Sequence, residues 1–456
     1  MSGQPTPTAG EEMPAQEPAP ADMPAAPVEP AAGPPSRWRL PRGLNAFRHH
    51  NFRLFWFGQL VSLSGTWMQQ VAQAWLVLEL TNDPLALGLV AAAQFTPVMV
   101  LGLFAGIVAD AVPKRRLLVI TQLSASVLAL TLGLLVVSGS VEPWHVYVLA
   151  LGLGIVNAFD MPTRQSFVVE MVGRDDVANA VALNAAVFNG TRIVGPAIGG
   201  VLIALIGTGP LFLINAVTYQ AVVVSLLLMR PAELVLVERA QVQRNVRSVI
   251  DRLTEGLRYV RATPEILLPI MVLAVVATFA LNFQVLMPVY AKDVLGGESQ
   301  VFGFLMASSG VGSLTGALLI AFGRRPSMRL LLAGVVAIGV GTIGLALNRW
   351  LPLSVALMFM SGWGMISMAA TTNTTIQLAV PDVLRGRVMS VYTTVFAGSV
   401  PLGGLFAGSV AAAYGAPAAL AAGGAIALAT VGAVVLRRPP WRTRREVRAT
   451  GGELAS

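Results

Sequence analysis

Asn51–Leu80 reads NFRLFWFGQLVSLSGTWMQQVAQAWLVLEL. It is long enough to cross the hydrocarbon of a bilayer, which takes about 20 residues of helix. Yet it carries Gln59, Ser62, Thr66, Gln69, Gln70 and Gln73. At about 100° per residue these side chains fall within roughly a quarter-turn, or slightly more, of arc. Hydrocarbon offers such a stripe no hydrogen-bond partner, so it is kept off lipid. It faces water, a substrate or another helix. Interhelical hydrogen bonding is one reading. The number of amides exceeds what simple helix contact needs, and this favours a cavity lining.

The composition asks for the same solvent. Of 456 residues, 55% are hydrophobic and 12% are charged, about half the charged share of an ordinary soluble domain. Apolar segments of about 20 residues recur along the chain. Twelve are expected, near 53–80, 85–109, 117–138, 144–163, 181–206, 210–229, 266–290, 301–323, 329–347, 353–377, 388–412 and 417–436. The expected fold is therefore an all-α polytopic membrane protein of twelve transmembrane helices in two pseudo-symmetric six-helix bundles.

The net charge of +8 alone would suit a nucleic-acid partner, but its distribution excludes one. All but three of the 31 Lys and Arg fall on the side of the two termini. Lys292 and Arg349 lie on the other side, and Arg192 lies within the membrane. This is the positive-inside bias. It places both termini in the cytoplasm of a bacterial inner membrane.

The organisation follows. Residues 1–50 form an acidic Pro/Ala-rich tail, expected to be disordered, and a basic approach segment. Residues 51–229 form the first bundle and 265–436 the second. Between them, 230–264 is a cytoplasmic linker, and 437–456 is a basic tail. Within the linker, Val246, Val249, Ile250, Leu253, Leu257 and Val260 share a helical face. A helix on the membrane surface and a solvated linker helix both fit that pattern. DVANAVALNAAVFNG (176–190) and DVLRGRVMSVYTTVFAG (382–398) are similar, and each runs on into a Pro and a Gly-Gly pair. Such repeated halves are a usual build of secondary transporters.

Polar residues recur in other spans. Thr278 and Asn282 are four apart in the seventh. Ser367, Thr371 and Thr374 share a face of the tenth, and Asn157, Asp160 and Arg164 share one of the fourth. With the first span, these are the elements that would surround one central path. Asn282 and Thr371 join the six polar residues of the first span as candidate cavity residues. Acids are scarce: Glu79 closes the first span, and Asp160 and Asp110 lie at inner ends. Asp160 is a coupling candidate, although pairing with Arg164 is the simpler reading.

The fifth span contains FNGTRIVGPAIGG (Phe188–Gly200). Arg192 lies near mid-bilayer, where a charge costs several kcal/mol unless it is paired or wet. Gly195 and Gly199 form a small-residue face suited to close helix contact. Pro196 removes one backbone hydrogen bond and allows a bend. With Gly200 these residues read as a packed seam facing the other half. Arg192 is expected to touch backbone carbonyls, Asn189, cavity water or an anionic substrate.

The two-halved plan resembles the major facilitator superfamily over about 50–440. GIVADAVPKRR (106–116) resembles its inner-loop signature: Gly106, Asp110, Lys114, Arg115 and Arg116 match, while Ala111 and Pro113 depart from it. GPAIGG (195–200) looks like the antiporter signature of drug exporters, with Thr191 in place of its first glycine. The opening stretch and NAFDMPTRQSFV (157–168) resemble the branch with enterobactin-type siderophore exporters and macrolide efflux proteins. The resemblance implies alternating access by rocking of the halves. It also implies a cytoplasmic gate in which Asp110 meets the start of the eleventh span, near Arg385 and Arg387.

The function expected is secondary active export of a small, mostly apolar molecule, by proton antiport, through a monomer. Glu79, Asp160 and Arg192 are the coupling candidates. A nutrient importer on the same fold and a non-transporting receptor or scaffold are the alternatives. An enzyme is not expected: HExxH, GxSxG and thiols are absent, and the three histidines are scattered. No cofactor or metal site is called for, and the ATP-binding signature GxxxxGK[ST] is absent.

Overall fold

The computed structural model describes Gly3 and residues 42–235, 246–322 and 327–436. The tail readings for 1–41 and 437–456, and the linker stretch 236–245, lie outside the described residues. Every described element is helical. A short 3₁₀ helix, Arg42–Arg48, leads into α1, His50–Thr81. Asn82 then takes a left-handed conformation, and the Asp83 side chain accepts from Leu85 N at 2.8 Å. With Pro84 at the first helical position, TNDP becomes a tight turn into α2, Pro84–Ala111. Next comes α3, Lys114–Val137.

Pro143–Ile206 is a single 64-residue rod with one interruption, Gly173 at φ 72° and ψ 179°. That left-handed backbone suits a residue without Cβ. The rod would be about 96 Å long if straight, some three bilayer cores. It therefore serves as two limbs, α4 (143–172) and α5 (174–206). The expected inner loop between the fourth and fifth spans is thus helix broken at one glycine. His145 has a structural role at the start of α4: it accepts from Glu142 N at 2.9 Å in a capping box.

The remaining spans are α6, Thr208–Leu227; α7, Pro264–Val294, interrupted near Asn282; α8, Ser299–Ala321; α9, Met328–Leu347; α10, Leu351–Ala379; α11, Asp382–Tyr414; and α12, Ala416–Leu436. Ten described helices are long and apolar enough to cross a membrane. One of them is the broken rod, which supplies two crossings. The polar stripe keeps α1 out of the ten, although its 32 residues suffice in length. With it, the spans number twelve.

The turns between α5 and α6 and between α11 and α12 match: Gly207 has φ 79° and Gly415 has φ 84°. Helices α1 and α3–α6 pack together, as do α7, α9, α10 and α12. The two sets meet through α2 against α11 and α4/α5 against α8. Call the end where α1 begins and α12 finishes the basal end, and the opposite one the far end. At the far end one hydrophobic core includes both sets, with Met68, Leu76, Leu87, Leu286, Phe302 and Ala407 among its members. At the basal end there are two separate cores, one around Phe52, Phe167 and Leu226, the other around Ile266, Ile376 and Val388.

The linker helix, Val246–Ala262, fits neither expectation fully. It packs on the basal end of α11. Val260 is buried beside Val388 and Val391, and a Cβ on Gly256 would lie 2.5 Å from Arg387 O. Leu257, on the same apolar face, is 37% exposed.

Candidate functional site

The six polar residues of α1 do not share one environment. Ser62 and Gln69 lie on the row Gly58, Ser62, Gly65, Gln69, which meets α6. A Cβ on Gly58 would be 2.9 Å from Ala221 O, and Gln69 Oε1 accepts from Asn215 Nδ2 at 2.7 Å. Thr66 donates to Ser62 O at 2.9 Å and contacts the Tyr219 hydroxyl of α6. Gln59 is buried, and its amide nitrogen has no protein partner. Only Gln70 and Gln73 reach open space. Of the rest of the stripe, Gln69 and Thr66 meet polar groups of α6, as the interhelical reading has it.

That open space is a narrow, half-open cleft with a cavity volume of about 40 Å³, lined from both sides of the molecule. Helix α1 contributes Trp67, Gln70 and Gln73; α2 contributes Gln94 and Phe95; α5 contributes Pro196. From across the seam come Gln284 of α7 and Phe302 and Met306 of α8. Gln284 Nε2 donates to Gln70 Oε1 at 3.0 Å, a bridge between the two sets of helices. The lining is therefore apolar and aromatic with four amides and no formal charge, as suits an uncharged or weakly polar molecular body.

Asn282 and Thr371 are placed elsewhere. Asn282 braces the break in α7: its Nδ2 donates to Thr278 O at 2.8 Å, and its side chain lies against Gly403 of α11. Thr371 is 1% exposed and its hydroxyl has no protein partner, like those of Ser367 and Thr372 nearby. A helical wheel gives the angle of each on its own helix and not the neighbour it faces. Gln94 and Gln284 were missed: each is an isolated amide in an apolar run, a weaker signal than the six-residue stripe of α1.

The glycine-rich part of α5 faces two ways. Gly195 and Gly199 pack on α1, where a Cβ on Gly199 would lie 3.1 Å from Met68 Cα. These two therefore fix α5 to its own set. The crossing to the other set is made by Gly200, where a Cβ would lie 2.6 Å from Ser299 O and 3.0 Å from Gly303 Cα. Ser299 Oγ donates to Gly200 O at 2.9 Å, and Pro196 O faces Gly303. A second crossing mirrors it: Gly404 of α11 meets Gly88 of α2, and Gly408 meets Pro84. Gly88 and Gly303 each lie five residues beyond the acidic N-cap of their helix, Asp83 and Glu298. That repeat is legible in the sequence.

Arg192 lies on α5 one turn basal to Pro196. Its Nη2 is 3.6 Å from Met365 Sδ on α10, across the seam. Among the described residues neither Asn189, which donates to Ala185 O, nor a backbone carbonyl takes it up. Asp160, by contrast, is saturated. Thr121 Oγ1 and Gln122 Nε2 donate to Oδ1, each at 2.8 Å, and Arg164 donates twice to Oδ2, at 2.9 and 2.6 Å. Glu79 accepts from Trp75 Nε1 at 2.7 Å at the far end, where Lys292 is near.

Of the expected gate residues, the basic ones are described with these partners. Arg385 pairs with Asp382 at 2.6 Å and Arg387 pairs with Glu255 of the linker helix. Lys114 pairs with Glu170 at 2.6 Å, and Arg115 caps α6 through the carbonyls of Leu226 and Leu227. Arg116 sits in the first turn of α3, its N–H donating to Pro113 O. The Asp110 side chain lies outside the described residues. A Cβ on Gly106 would meet nothing within 4 Å. Among the described residues no cluster of His, Asp and Glu could hold a metal.

Residues 42–448 match the family described as "Transmembrane secretion effector". The chain is 31% identical over 379 residues to the multidrug efflux pump Tap of Mycolicibacterium fortuitum, covering 79% of this chain and 89% of that one. It is 25% identical over 370 residues to the staphyloferrin A transporter of Staphylococcus aureus, covering 80% and 90%. Among solved structures, the nucleoside transporter NupG aligns with a TM-score of 0.67 at 12% identity, over 85% of this chain and 98% of that one. That likeness speaks to the fold.

Proposed function

The chain belongs to the transmembrane secretion effector family of major facilitator transporters, and from that premise we propose that it exports a small, mostly apolar molecule. The observation that carries the reading is the shared cavity, lined by both sets of helices and closed at the far end by the paired glycine crossings. The basic residues gather at the basal end, which the positive-inside rule places in the cytoplasm of the bacterial inner membrane. The cavity then loads from the cytoplasmic side. Rocking about the seam would open it outward, with Asp110 and the α11 arginines meeting as the basal end closes. The likeness to a multidrug efflux pump supports the outward direction.

Proton antiport by a single chain is part of the proposal. Asp160, already holding four hydrogen bonds, is a poor carrier, because proton uptake would forfeit the pairing with Arg164. Glu79 is the remaining acid of the coupling candidates. The test uses inverted and right-side-out vesicles with an imposed pH gradient and a panel of drugs and siderophores. Gradient-driven accumulation in inverted vesicles alone is the expected result. Accumulation in right-side-out vesicles would mean import, and movement that ignores the gradient would remove the proton coupling.

A further inference from the structure

Four amides supply the polarity of the cavity, and a formal charge, Arg192, lies one turn basal to its lining on α5. Pro196 lines the cavity, and Arg192 lies one turn basal on nearly the same face of α5. Across the seam the geometry repeats: Met306 lines the cavity, and Gly310, one turn basal on α8, packs against the Arg192 backbone. Arg192 therefore sits on the basal side of the cavity, the side from which a molecule would enter.

Its surroundings do not satisfy it. A guanidinium presents five N–H donors, and a thioether is a weak acceptor. Met365 Sδ at 3.6 Å is the partner the structure provides. Among the described residues no carboxylate comes within salt-bridge distance of Arg192, whereas Arg48, Lys114, Arg164, Arg230, Arg385 and Arg387 all have one. The buried pair of Arg164 with Asp160 shows that this chain supplies a counter-charge where a structural role needs one. A charge held at mid-membrane without one is by default a functional group.

We propose that Arg192 recognises an anionic group on the cargo, and that the cargo is an apolar molecule carrying a carboxylate. The inference rests on the cavity being the cargo site and narrows the substrate class. A planar guanidinium matches a carboxylate in a two-pronged, charge-assisted hydrogen bond. The apolar body would lie among Trp67, Phe95, Phe302 and Met306, with Gln70, Gln94 and Gln284 taking its neutral polar groups.

Binding at equilibrium tests this without reference to direction or coupling. The purified full chain in a neutral detergent is dialysed against two probes with one apolar body, pyrenebutyrate and pyrenebutanol, with micelle-only blanks. The wild type is expected to bind the carboxylate about ten-fold tighter than the alcohol, the scale of one charged hydrogen-bond pair. Arg192→Gln should weaken pyrenebutyrate to the level of the alcohol and leave the alcohol unchanged. Arg192→Lys, keeping the charge without the fork, should retain part of the preference. Equal binding of both probes by the wild type, failure of pyrenebutyrate to bind, or a preference surviving in Arg192→Gln overturns the proposal. So does equal weakening of both probes, the mark of a purely structural arginine. If Arg192→Gln does not fold, the wild-type comparison and Arg192→Lys decide the matter. Export in the wrong direction would refute the functional reading and leave this preference intact.

Discussion

The two ends of the seam are built from the same residue types and packed in opposite ways. At the far end Gly88, Gly200, Gly303, Gly404 and Gly408 each lie against the backbone of a helix from the other set. At the basal end Gly102, Gly106, Gly190 and Gly386, on α2, α5 and α11, have open space where a Cβ would point. The cores repeat the contrast, shared at one end and divided at the other. So do the hydrogen bonds: Lys292 to Asn82 and Ser299 to Gly200 cross the seam toward the far end, while Arg385 pairs within α11 and Arg387 with the linker helix. Glycines at a helix crossing let backbones approach closely. Glycines facing open space at the corresponding crossings have that use only when the helices come together. Under the proposed alternating access this structure is one of two positions, and the unpacked glycines mark where the other would close.

The strongest way to break this comparison is to fill the far end. Gly200→Leu pushes a side chain into Ser299 and Gly303, where backbone and not a flexible side chain must yield. Overpacking of this kind costs about 3 kcal/mol or more. Transport should fall to background. The wild type has no cysteine, so single cysteines at the two ends can report access to an impermeant thiol reagent. The far end should become more reactive. Unchanged transport would refute the far-end seam.

Next in size is the rigidity of one half. Asp160 ties α3 to α4 through Thr121, Gln122 and Arg164. Asp160→Asn leaves Arg164 buried without its counter-charge, at a cost of about 3 kcal/mol. The expected result is a lower melting temperature in detergent, with the residual transport still following the pH gradient. Full stability with loss of gradient dependence would instead make Asp160 the proton carrier. A smaller effect is expected from Gly190→Leu. Nothing opposes the new side chain here, so folding should be spared. Closure of the basal end should suffer, lowering transport about ten-fold, or 1.4 kcal/mol. The basal end should stay reactive to thiol reagent, opposite to Gly200→Leu. Normal transport by Gly190→Leu would reduce the basal glycines to plain surface.

Much of this fold could be read from apolar run length alone, because a membrane helix must satisfy its backbone internally and so declares itself locally. The α1 stripe was legible for the same reason: six polar residues on one arc need a partner. Which partner was not legible. A helical wheel fixes the angles on one helix and says nothing of the neighbour's rotation. Gln69 thus meets Asn215 while Gln70, one residue on, meets Gln284 across the seam. The same limit turned Gly195 and Gly199 inward to α1 and left the crossing to Gly200. Gly173 hid for another reason. One glycine in a helical, moderately polar run gives no sign that it is the whole connection. Arg164 with Asp160 was legible because an i, i+4 pair needs only one helix.

The finest test concerns Arg387. The family resemblance would have it near Asp110 when the basal end is shut, yet here Glu255 of the linker helix holds it. The linker helix is anchored beside it, with Gly256 against Arg387 O and Val260 among Val388 and Val391. Glu255 is then a competitor that favours the open basal end. The pair is partly exposed, 30% for the arginine and 48% for the acid, so solvent screening limits it to about 1 kcal/mol or less. Glu255→Gln should therefore leave folding untouched and move the balance between the two positions by no more than about five-fold toward closure. A cysteine at Gly190 in this background should react with thiol reagent more slowly by that factor, and high salt should abolish the difference, since an exposed ion pair is screened. Faster labelling would mean that Glu255 helps to close the basal end. Unchanged labelling at low salt would mean that Arg387 does not change partners, and the closing contact must then be sought elsewhere on α11.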